Sequence, residues 1–167
     1  MTEVTPRQQQ VAAFIAALAR LDNAGRARLK RNAGRTLSEA RDVHRIFYQA
    51  LPREIAGRPE EESYFLIATL YPLAKARSDG KTLGATLRTV RLLRESTSID
   101  RRFQALLDSE LDQLQFRLRQ IVRLIAASEQ AIDWGQLLND LLAWNHPDRY
   151  VQLRWARDYF VGLPATA

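Results

Sequence analysis

The segment from residue 109 to residue 128 constrains the fold most strongly, because its apolar side chains recur at helical spacing. Spacings of three and four residues place them on one side of an α-helix. No segment of the chain shows the alternating apolar pattern that is typical of a β-strand. The pattern therefore predicts a long amphipathic helix and an all-α protein. The apolar stripe consists of Leu111, Leu114, Leu118, Ile121, Val122 and Ile125.

Capping residues predict several short helices in the first third of the chain. Thr5 followed by Pro6 is typical of a helix start. The tetrapeptide DNAG at 22–25 is expected to break this helix, and a short basic helix follows as far as Ala33. The segment TLSE at 36–39 has capping-box spacing and predicts a helix that continues to about residue 51.

Proline and acidic residues mark the later helices. A loop is predicted over 52–59, and the glutamates at 60–62 suit the positive end of a helix dipole. Pro72 should kink or end that helix near position 71. Asp133 can cap a further helix, and Pro147 is expected to open the last one.

These elements predict an all-α fold, a compact bundle of about eight or nine short helices. The length of 167 residues suits one all-helical domain over 1–167. Within it we expect two small helical lobes, at 1–80 and 81–167.

Composition excludes several classes of protein. The chain has no cysteine, which rules out disulfides, thiolate metal sites and a cysteine nucleophile. The N-terminus is polar, and the longest apolar run, over 11–19, is far shorter than a membrane span. We therefore expect a cytoplasmic protein that does not contact a membrane.

No catalytic constellation is present in the sequence. His44 and His146 lie far apart and outside any metal-binding spacing, so we expect ordinary histidines. The GKT segment at 80–82 lacks the glycine that a phosphate-binding loop requires. The three consecutive glutamates cannot share one helix face and fit a helix start better than a metal site. We predict no enzyme activity, no metal and no cofactor.

The positive charge is unevenly distributed. The formal net charge is +6, and residues 1–58 hold 11 basic and 5 acidic side chains, whereas the remainder holds 14 of each. Arginine outnumbers lysine by 22 to 3. A GC-rich genome would also favour arginine, but its planar fork suits bidentate phosphate contacts. The charge pattern favours a polyanionic partner.

Three groups of basic residues are candidates for phosphate contacts. The segment GRARLKRNAGR at 25–35 has five basic and no acidic residues. A pair at 101–102 is expected at the start of a helix, where backbone N–H groups help to hold phosphate. A second pair lies four residues apart on the 109–128 helix, opposite the apolar stripe. The predicted nucleic-acid-binding residues are Arg26, Arg28, Lys30, Arg31, Arg101, Arg102, Arg119 and Arg123.

Phe116 shares the far face of the 109–128 helix with Arg119 and Arg123. Two interpretations stay open: the ring stacks on a base or anchors a partner, or a second helix covers it and the arginines are rim solvation. Arg88 and Arg91 are expected to be surface charge.

Several segments, read in order, resemble the CasB family, the small subunit of the type I-E CRISPR surveillance complex, Cascade. Each motif is weak alone, but their order and spacing cover nearly the whole chain. They are LDNAGRARLKR (21–31), TLGATLR (82–88), IDRRFQALL (99–107), LRQIVRLI (118–125), IDW (132–134), LLAW (141–144) and ARDYF (156–160).

The resemblance implies a two-lobed, all-helical subunit without catalytic activity. Its implied partners are other Cascade subunits, a second copy of itself arranged head to tail, the guide RNA and the target DNA. It would lie beside the guide RNA–target heteroduplex and help to hold the displaced strand, so stabilising the R-loop in antiviral defence. Guide pairing supplies sequence specificity, so the contacts would be to backbone.

The family's basic positions transfer residue by residue. Its N-terminal LRR falls on residues 29–31 and its RR pair on 101–102, and the basic pair in the long helix falls near Arg119 and Arg123. Lys30 replaces the expected arginine, which keeps the charge but loses the bidentate fork.

Two other functional classes compete with this hypothesis. A helical protein–protein adaptor would use Phe116, Trp144, Trp155 and Tyr159 as aromatic anchors and bind nucleic acid only incidentally. A helix-turn-helix regulator is disfavoured, because no helix carries a polar base-reading face after a tight turn.

Overall fold

A computed structural model of the chain describes residues 3–164. Over this range the chain forms nine α-helices and no strand, apart from one isolated bridge between Ala76 and Ile132. The all-α prediction is confirmed. The helices are α1 Pro6–Ala19, α2 Asn23–Arg31, α3 His44–Ala50, α4 Glu61–Leu70, α5 Leu83–Arg94, α6 Ser98–Leu107, α7 Leu114–Ala127, α8 Trp134–Leu142 and α9 Tyr150–Phe160.

The helices fall into two compact units. The first contains α1–α4 and extends to Pro72, and the second contains α5–α9 and starts at Leu73. The expected lobe boundary lay eight residues later, between 80 and 81. Residues 73–80 belong with the second unit because Ile132 N–H donates to the Lys75 carbonyl at 2.8 Å. Gly80 N–H likewise donates to the Asp133 carboxylate at 2.8 Å.

Aromatic residues fill the core of the first unit. Helix α4 is buried from Ser63 through Leu70, so it forms the centre of this unit. The Phe14 ring of α1 meets the Tyr64 ring edge-on with centroids 4.9 Å apart. Helix α2 packs on α4 and contributes the fully buried Leu29. This packing fixes which side of α2 faces solvent.

Helices α5 and α9 pack closely in the second unit. A Cβ on Gly84 would lie 2.3 Å from the Trp155 carbonyl oxygen, so only glycine allows this approach. Trp155 Nε1 donates to the buried Asp140 carboxylate at 2.8 Å, and Trp144 Nε1 donates to the Ser109 carbonyl at 2.9 Å. Each of these two buried indoles therefore has a partner, as the cost of an unpaired buried donor requires.

Several predicted helix boundaries are confirmed. Thr5 caps α1 in a full capping box with Gln8. Helix α4 ends at Leu70, directly before the turn that contains Pro72. Asp133 caps α8 by accepting from Gln136 N–H at 2.9 Å.

The predicted helix from the TLSE capping box is wrong in its start. Glu39 does accept from Thr36 N–H at 3.1 Å, but the segment forms a turn. Helix α3 begins only at His44, after a short 3-10 turn. Tertiary contacts explain the difference, since Leu37 is buried and its carbonyl contacts the His44 Nε2 at 2.8 Å while its N–H donates to Glu62.

Three further boundaries differ from expectation. The first helix does end before DNAG, as predicted, but the segment also starts α2, because the Asp22 carboxylate accepts from Gly25 N–H at 2.7 Å. Helix α7 begins at Leu114, and a 3-10 turn occupies the predicted first turn. Pro147 lies before α9, which begins at Tyr150 after Arg149 adopts a left-handed conformation with φ of 51°.

Candidate nucleic-acid interface

The outer face of α2 carries three free basic side chains, Arg28, Lys30 and Arg31. All three are exposed. Gly25 and Leu29 are buried on the side of α2 that packs on α4, so the basic side chains lie away from that contact. Within residues 3–164 these side chains make no hydrogen bond or ion pair. We call this group the α2 outer face. Its donors remain available to an external phosphate.

Arg26 differs from its neighbours on α2, because its guanidinium already has partners within the chain. The guanidinium donates to the Ala19 carbonyl at 3.0 Å and to the Leu21 carbonyl at 3.3 Å. It also lies over the Tyr71 ring, 5.8 Å from the centroid. The Ala19 carbonyl ends α1, where helices leave acceptors unsatisfied, and Leu21 lies in the connection between α1 and α2. Arg26 therefore has a structural role in addition to its predicted contact with nucleic acid, which stays a prediction.

Arg101 and Arg102 are exposed, and most of the backbone N–H groups near the start of their helix already have partners. Helix α6 begins at Ser98, which places both arginines in its second turn. Two N–H groups of the first turn already have acceptors: Ile99 N–H donates to the Ser96 carbonyl at 3.4 Å, and Asp100 N–H donates to the Thr97 carbonyl at 3.1 Å. The Asp100 carboxylate also brings negative charge to this end. The contact of both side chains with phosphate stays a prediction.

Phe116, Arg119 and Arg123 lie together on the outer face of α7, as the helical spacing predicts. The stripe residues from Leu114 to Ile125 are buried on the opposite side, whereas Leu111, outside the helix, is half-buried. Phe116 is 65% exposed, so the alternative that a second helix covers it is wrong for the described residues. We call these three residues the α7 outer face.

The arginines of the α7 outer face have no partner within the described part of the chain. Arg123 is exposed, and Arg119 is half-buried with its Nε shielded from solvent and unbonded. Arg117, on the flank of the same helix, is occupied: its Nη1 donates to the Ala105 carbonyl at 2.7 Å and to Ser109 Oγ at 2.8 Å. Arg117 is therefore part of the internal bonding of this unit, whereas Arg119 and Arg123 are available to an external partner.

Arg88 and Arg91 are structural, and the expectation of surface charge is wrong. Arg88 Nη1 donates to carbonyls at the end of α9, including that of Tyr159 at 2.9 Å. Arg91 is buried and its Nε donates to the Asp100 carboxylate at 3.0 Å. Tyr159 OH donates to the same carboxylate, and burial together with this bond raises the pKa of Tyr159.

The aromatic anchors proposed for an adaptor are mostly in the core. Trp144, Trp155 and Tyr159 are each at most 2% exposed. Phe116 alone among those four candidates is available to a partner. The sequence alone did not separate the exposed aromatic residue from the buried ones. Burial depends on which neighbouring helices pack against each helix face, and the spacing of residues within one helix does not show this.

Two of the residues weighed for catalysis, His44 and Glu61, have structural partners. Besides the His44 contact described above, Glu61 accepts from Tyr48 OH at 2.9 Å and from Gly57 N–H at 2.6 Å. Across the described residues no group of three or more histidine and carboxylate side chains is placed to hold a metal ion. None of the described helices is long and apolar enough to span a bilayer.

The fold and these surfaces define a small all-helical protein with exposed basic helix faces. Residues 25–160 match the family described as CRISPR-associated protein Cse2. The chain therefore belongs to the Cse2 family, which confirms the resemblance to CasB.

Relatives and solved structures support the same assignment. The chain is 44% identical over 102 residues to a CRISPR-associated protein Cse2 from Thermus thermophilus; this match covers 60% of the chain but only 57% of that relative's length. The crystal structure of M. ruber CasB is 34% identical with a TM-score of 0.75, covering 95% of this chain and 94% of the other. A chain of a CRISPR RNA-guided surveillance complex is 25% identical with a TM-score of 0.76, covering 92% of each.

Proposed function

We propose that this chain is a non-catalytic small subunit of the type I-E CRISPR Cascade complex. It binds nucleic-acid backbone through exposed arginines and lysine and stabilises the R-loop and its displaced strand. The single observation that carries the proposal is the set of basic side chains on the α2 and α7 outer faces that bond to nothing within the described structure. Unpaired guanidinium groups on rigid helices are suited to phosphate oxygens.

The expected contacts are independent of sequence. Arginine forks and a lysine ammonium recognise phosphate charge and carry no information about the base. The guide RNA supplies specificity in an RNA-guided complex, so a subunit beside the heteroduplex needs only to hold backbone.

The proposed partners are the other Cascade subunits, a second copy of this chain arranged head to tail, the guide RNA and the target DNA. Family membership supports this proposal, as does the structural similarity to a chain of a CRISPR RNA-guided surveillance complex. The adaptor alternative is supported by the exposed Phe116 and by the need of any complex subunit to dock on protein.

The test is a titration of labelled single- and double-stranded DNA with the purified protein at several salt concentrations. Two charge-reversed variants are compared with it: Lys30→Glu with Arg31→Glu, and Arg119→Glu with Arg123→Glu. We expect affinity to fall with salt. The slope of log K against log salt should shrink by about 0.7–0.9 for each phosphate that a variant no longer neutralises.

A matched control carries the same charge change elsewhere in the first unit. Arg53 and Arg58 are exposed and their side chains form no bond with the described residues. Reversing both should leave most of the slope intact. An equal loss in the control would contradict a localised interface. Normal DNA binding with failed assembly of the variants would assign these side chains to protein contacts instead.

A further inference from the structure

Phe116 is exposed in a setting that isolated surface apolar residues do not share. A single exposed apolar side chain requires no explanation by itself. Here the ring stands three residues before Arg119 and seven before Arg123, which places all three on one side of α7 within about 11 Å along the axis. The aromatic surface is therefore bordered by positive charge on the C-terminal side.

The arginines beside the ring are not neutralised locally. Helix α7, over Leu114–Ala127, contains no acidic residue. The buried Nε of Arg119 lacks an acceptor, and an unpaired buried donor is costly. An external anion that draws the guanidinium outward removes that cost. The charge of this face thus favours an anionic occupant.

The occupant must combine negative charge with a flat apolar surface. Single-stranded nucleic acid has both, because its phosphates are anionic and its unpaired bases expose their faces to aromatic stacking. A duplex offers the phosphates alone, since its base faces are already stacked. An acidic protein segment would satisfy the arginines but leave the ring without a complementary planar group.

We infer that the α7 outer face binds single-stranded nucleic acid, with Phe116 stacked on one unpaired base while Arg119 and Arg123 hold the adjoining phosphates. This inference rests on the proposed backbone-binding function of the two arginines. It adds a preference for unpaired over paired strands, and it assigns that preference to one side chain.

The experiment compares the full-length chain with its Phe116→Ala variant at low salt, using three probes of equal length. These are a single-stranded oligonucleotide, the same strand made entirely of abasic sites, and a duplex. We expect Phe116→Ala to weaken binding of the base-containing strand roughly tenfold, as removal of one stacking partner does elsewhere. Binding of the abasic strand and the duplex should not change.

A matched control separates stacking from general loss of apolar surface. Leu93 in the second unit is 64% exposed, nearly the same as Phe116 at 65%. Leu93→Ala should therefore leave all three affinities unchanged. Phe116→Leu, which keeps apolar bulk without a ring, should bind as weakly as Phe116→Ala, and Phe116→Trp should restore binding.

A spectroscopic readout tests the stacking directly. The fluorescence of 2-aminopurine in the single strand falls when that base stacks on an aromatic ring. Scanning the probe along the strand should reveal one position quenched by the wild-type chain and by Phe116→Trp but not by Phe116→Leu.

The outcomes distinguish this inference from the function on which it rests. If Arg119→Glu with Arg123→Glu weakens every probe while Phe116→Ala changes none, the backbone function stands and the stacking inference is overturned. Equal loss on abasic and base-containing strands also overturns it. If no probe binds even at low salt, both fail for the isolated chain. Unchanged DNA binding with failed assembly would assign Phe116 to a protein partner and overturn the inference.

Discussion

Arg26 and Arg28 lie two residues apart on α2, yet their surroundings differ completely. Arg26 donates to carbonyls at the end of α1, whereas Arg28 is exposed and bonds to nothing in the described structure. We call an arginine that bonds to carbonyls near a helix end a brace. The second unit has a similar brace, in which Arg149 Nη2 donates to the Leu107 carbonyl at 2.7 Å. Arginine therefore has at least two roles in this chain: Arg26 and Arg149 bond to carbonyls near helix ends, and Arg28 presents its charge to solvent.

Replacing Arg26 should lower stability, and replacing Arg28 should not. Arg26→Ala leaves the Ala19 and Leu21 carbonyls without their charged donor, which should reduce the free energy of unfolding by about 1–3 kcal/mol. Arg28→Ala, the matched control, should stay within about 0.5 kcal/mol of the parent. Urea unfolding followed by circular dichroism measures both. Equal losses in the two variants would contradict the assignment of Arg26 as a brace.

The sequence predicted which side chains are basic but not which are free. Spacing on α7 correctly placed Phe116, Arg119 and Arg123 on one outer face, because helix geometry alone decides that. It did not predict the partners of Arg26, because the acceptor carbonyls lie at and just after the end of a different helix and their position depends on packing. The same reason explains the error at Arg88.

At the scale of elements, a buried carboxylate joins α8 and α9. Asp140 accepts from Trp155 Nε1 at 2.8 Å and from Gln136 Nε2 at 3.0 Å, and it pairs with Arg154. Burial raises the pKa of Asp140 above its ordinary value of 3.8, although these hydrogen bonds and the Arg154 charge oppose the shift. The joint between the two helices is therefore sensitive to protonation.

This pKa shift predicts the sign of a pH effect on stability. A raised carboxyl pKa means that, just above pH 3.8, the folded chain binds more protons than the unfolded chain. The contribution of Asp140 to the free energy of unfolding should therefore fall as pH rises through that window. We therefore expect the free energy of unfolding of the wild type, minus that of Asp140→Asn, to decline as pH rises through this window. Urea unfolding at several pH values measures this difference.

An exposed carboxylate supplies the control for that measurement. Asp112 is exposed and its side chain bonds to none of the described residues. Asp112→Asn, measured in the same way, controls for the loss of a surface carboxylate. A difference for Asp140→Asn that stays flat or grows with pH would refute the assigned shift.

Helix existence was easier to predict than helix boundaries. Caps that act within one turn, such as Thr5 and Asp133, behaved as predicted because their partners are local. The Thr36–Glu39 box formed its local bond and still did not start a helix. Its outcome depended on burial of Leu37 and on a bond to Glu62, a residue 25 positions away.

At the scale of the whole molecule, each compact unit contributes one basic outer face. The α2 face belongs to the first unit and the α7 face to the second. The excess of positive charge in the first 58 residues did not reveal the second face, because acidic residues elsewhere balance the count. Helix geometry and the family resemblance identified it.

Charge reversals in the two units should add. The Lys30, Arg31 and the Arg119, Arg123 pairs share no interaction partner among the described residues, so their effects on log K for a long oligonucleotide should sum. Filter binding of the quadruple glutamate variant, beside the two doubles, measures this. A combined loss no greater than that of the weaker-binding double would show that only one face contacts nucleic acid.

The difference between exposed arginines and structural arginines has an evolutionary consequence. A lysine keeps the charge of an exposed arginine, whereas at a structural position it also loses the fork with which one guanidinium reaches two carbonyls. Substitution of arginine by lysine during evolution should therefore be confined to positions where the arginine side chain is exposed and makes no bond within the chain. The chain already fits this rule: its lysines, Lys30, Lys75 and Lys81, are all exposed, and within residues 3–164 none of their side chains forms a bond.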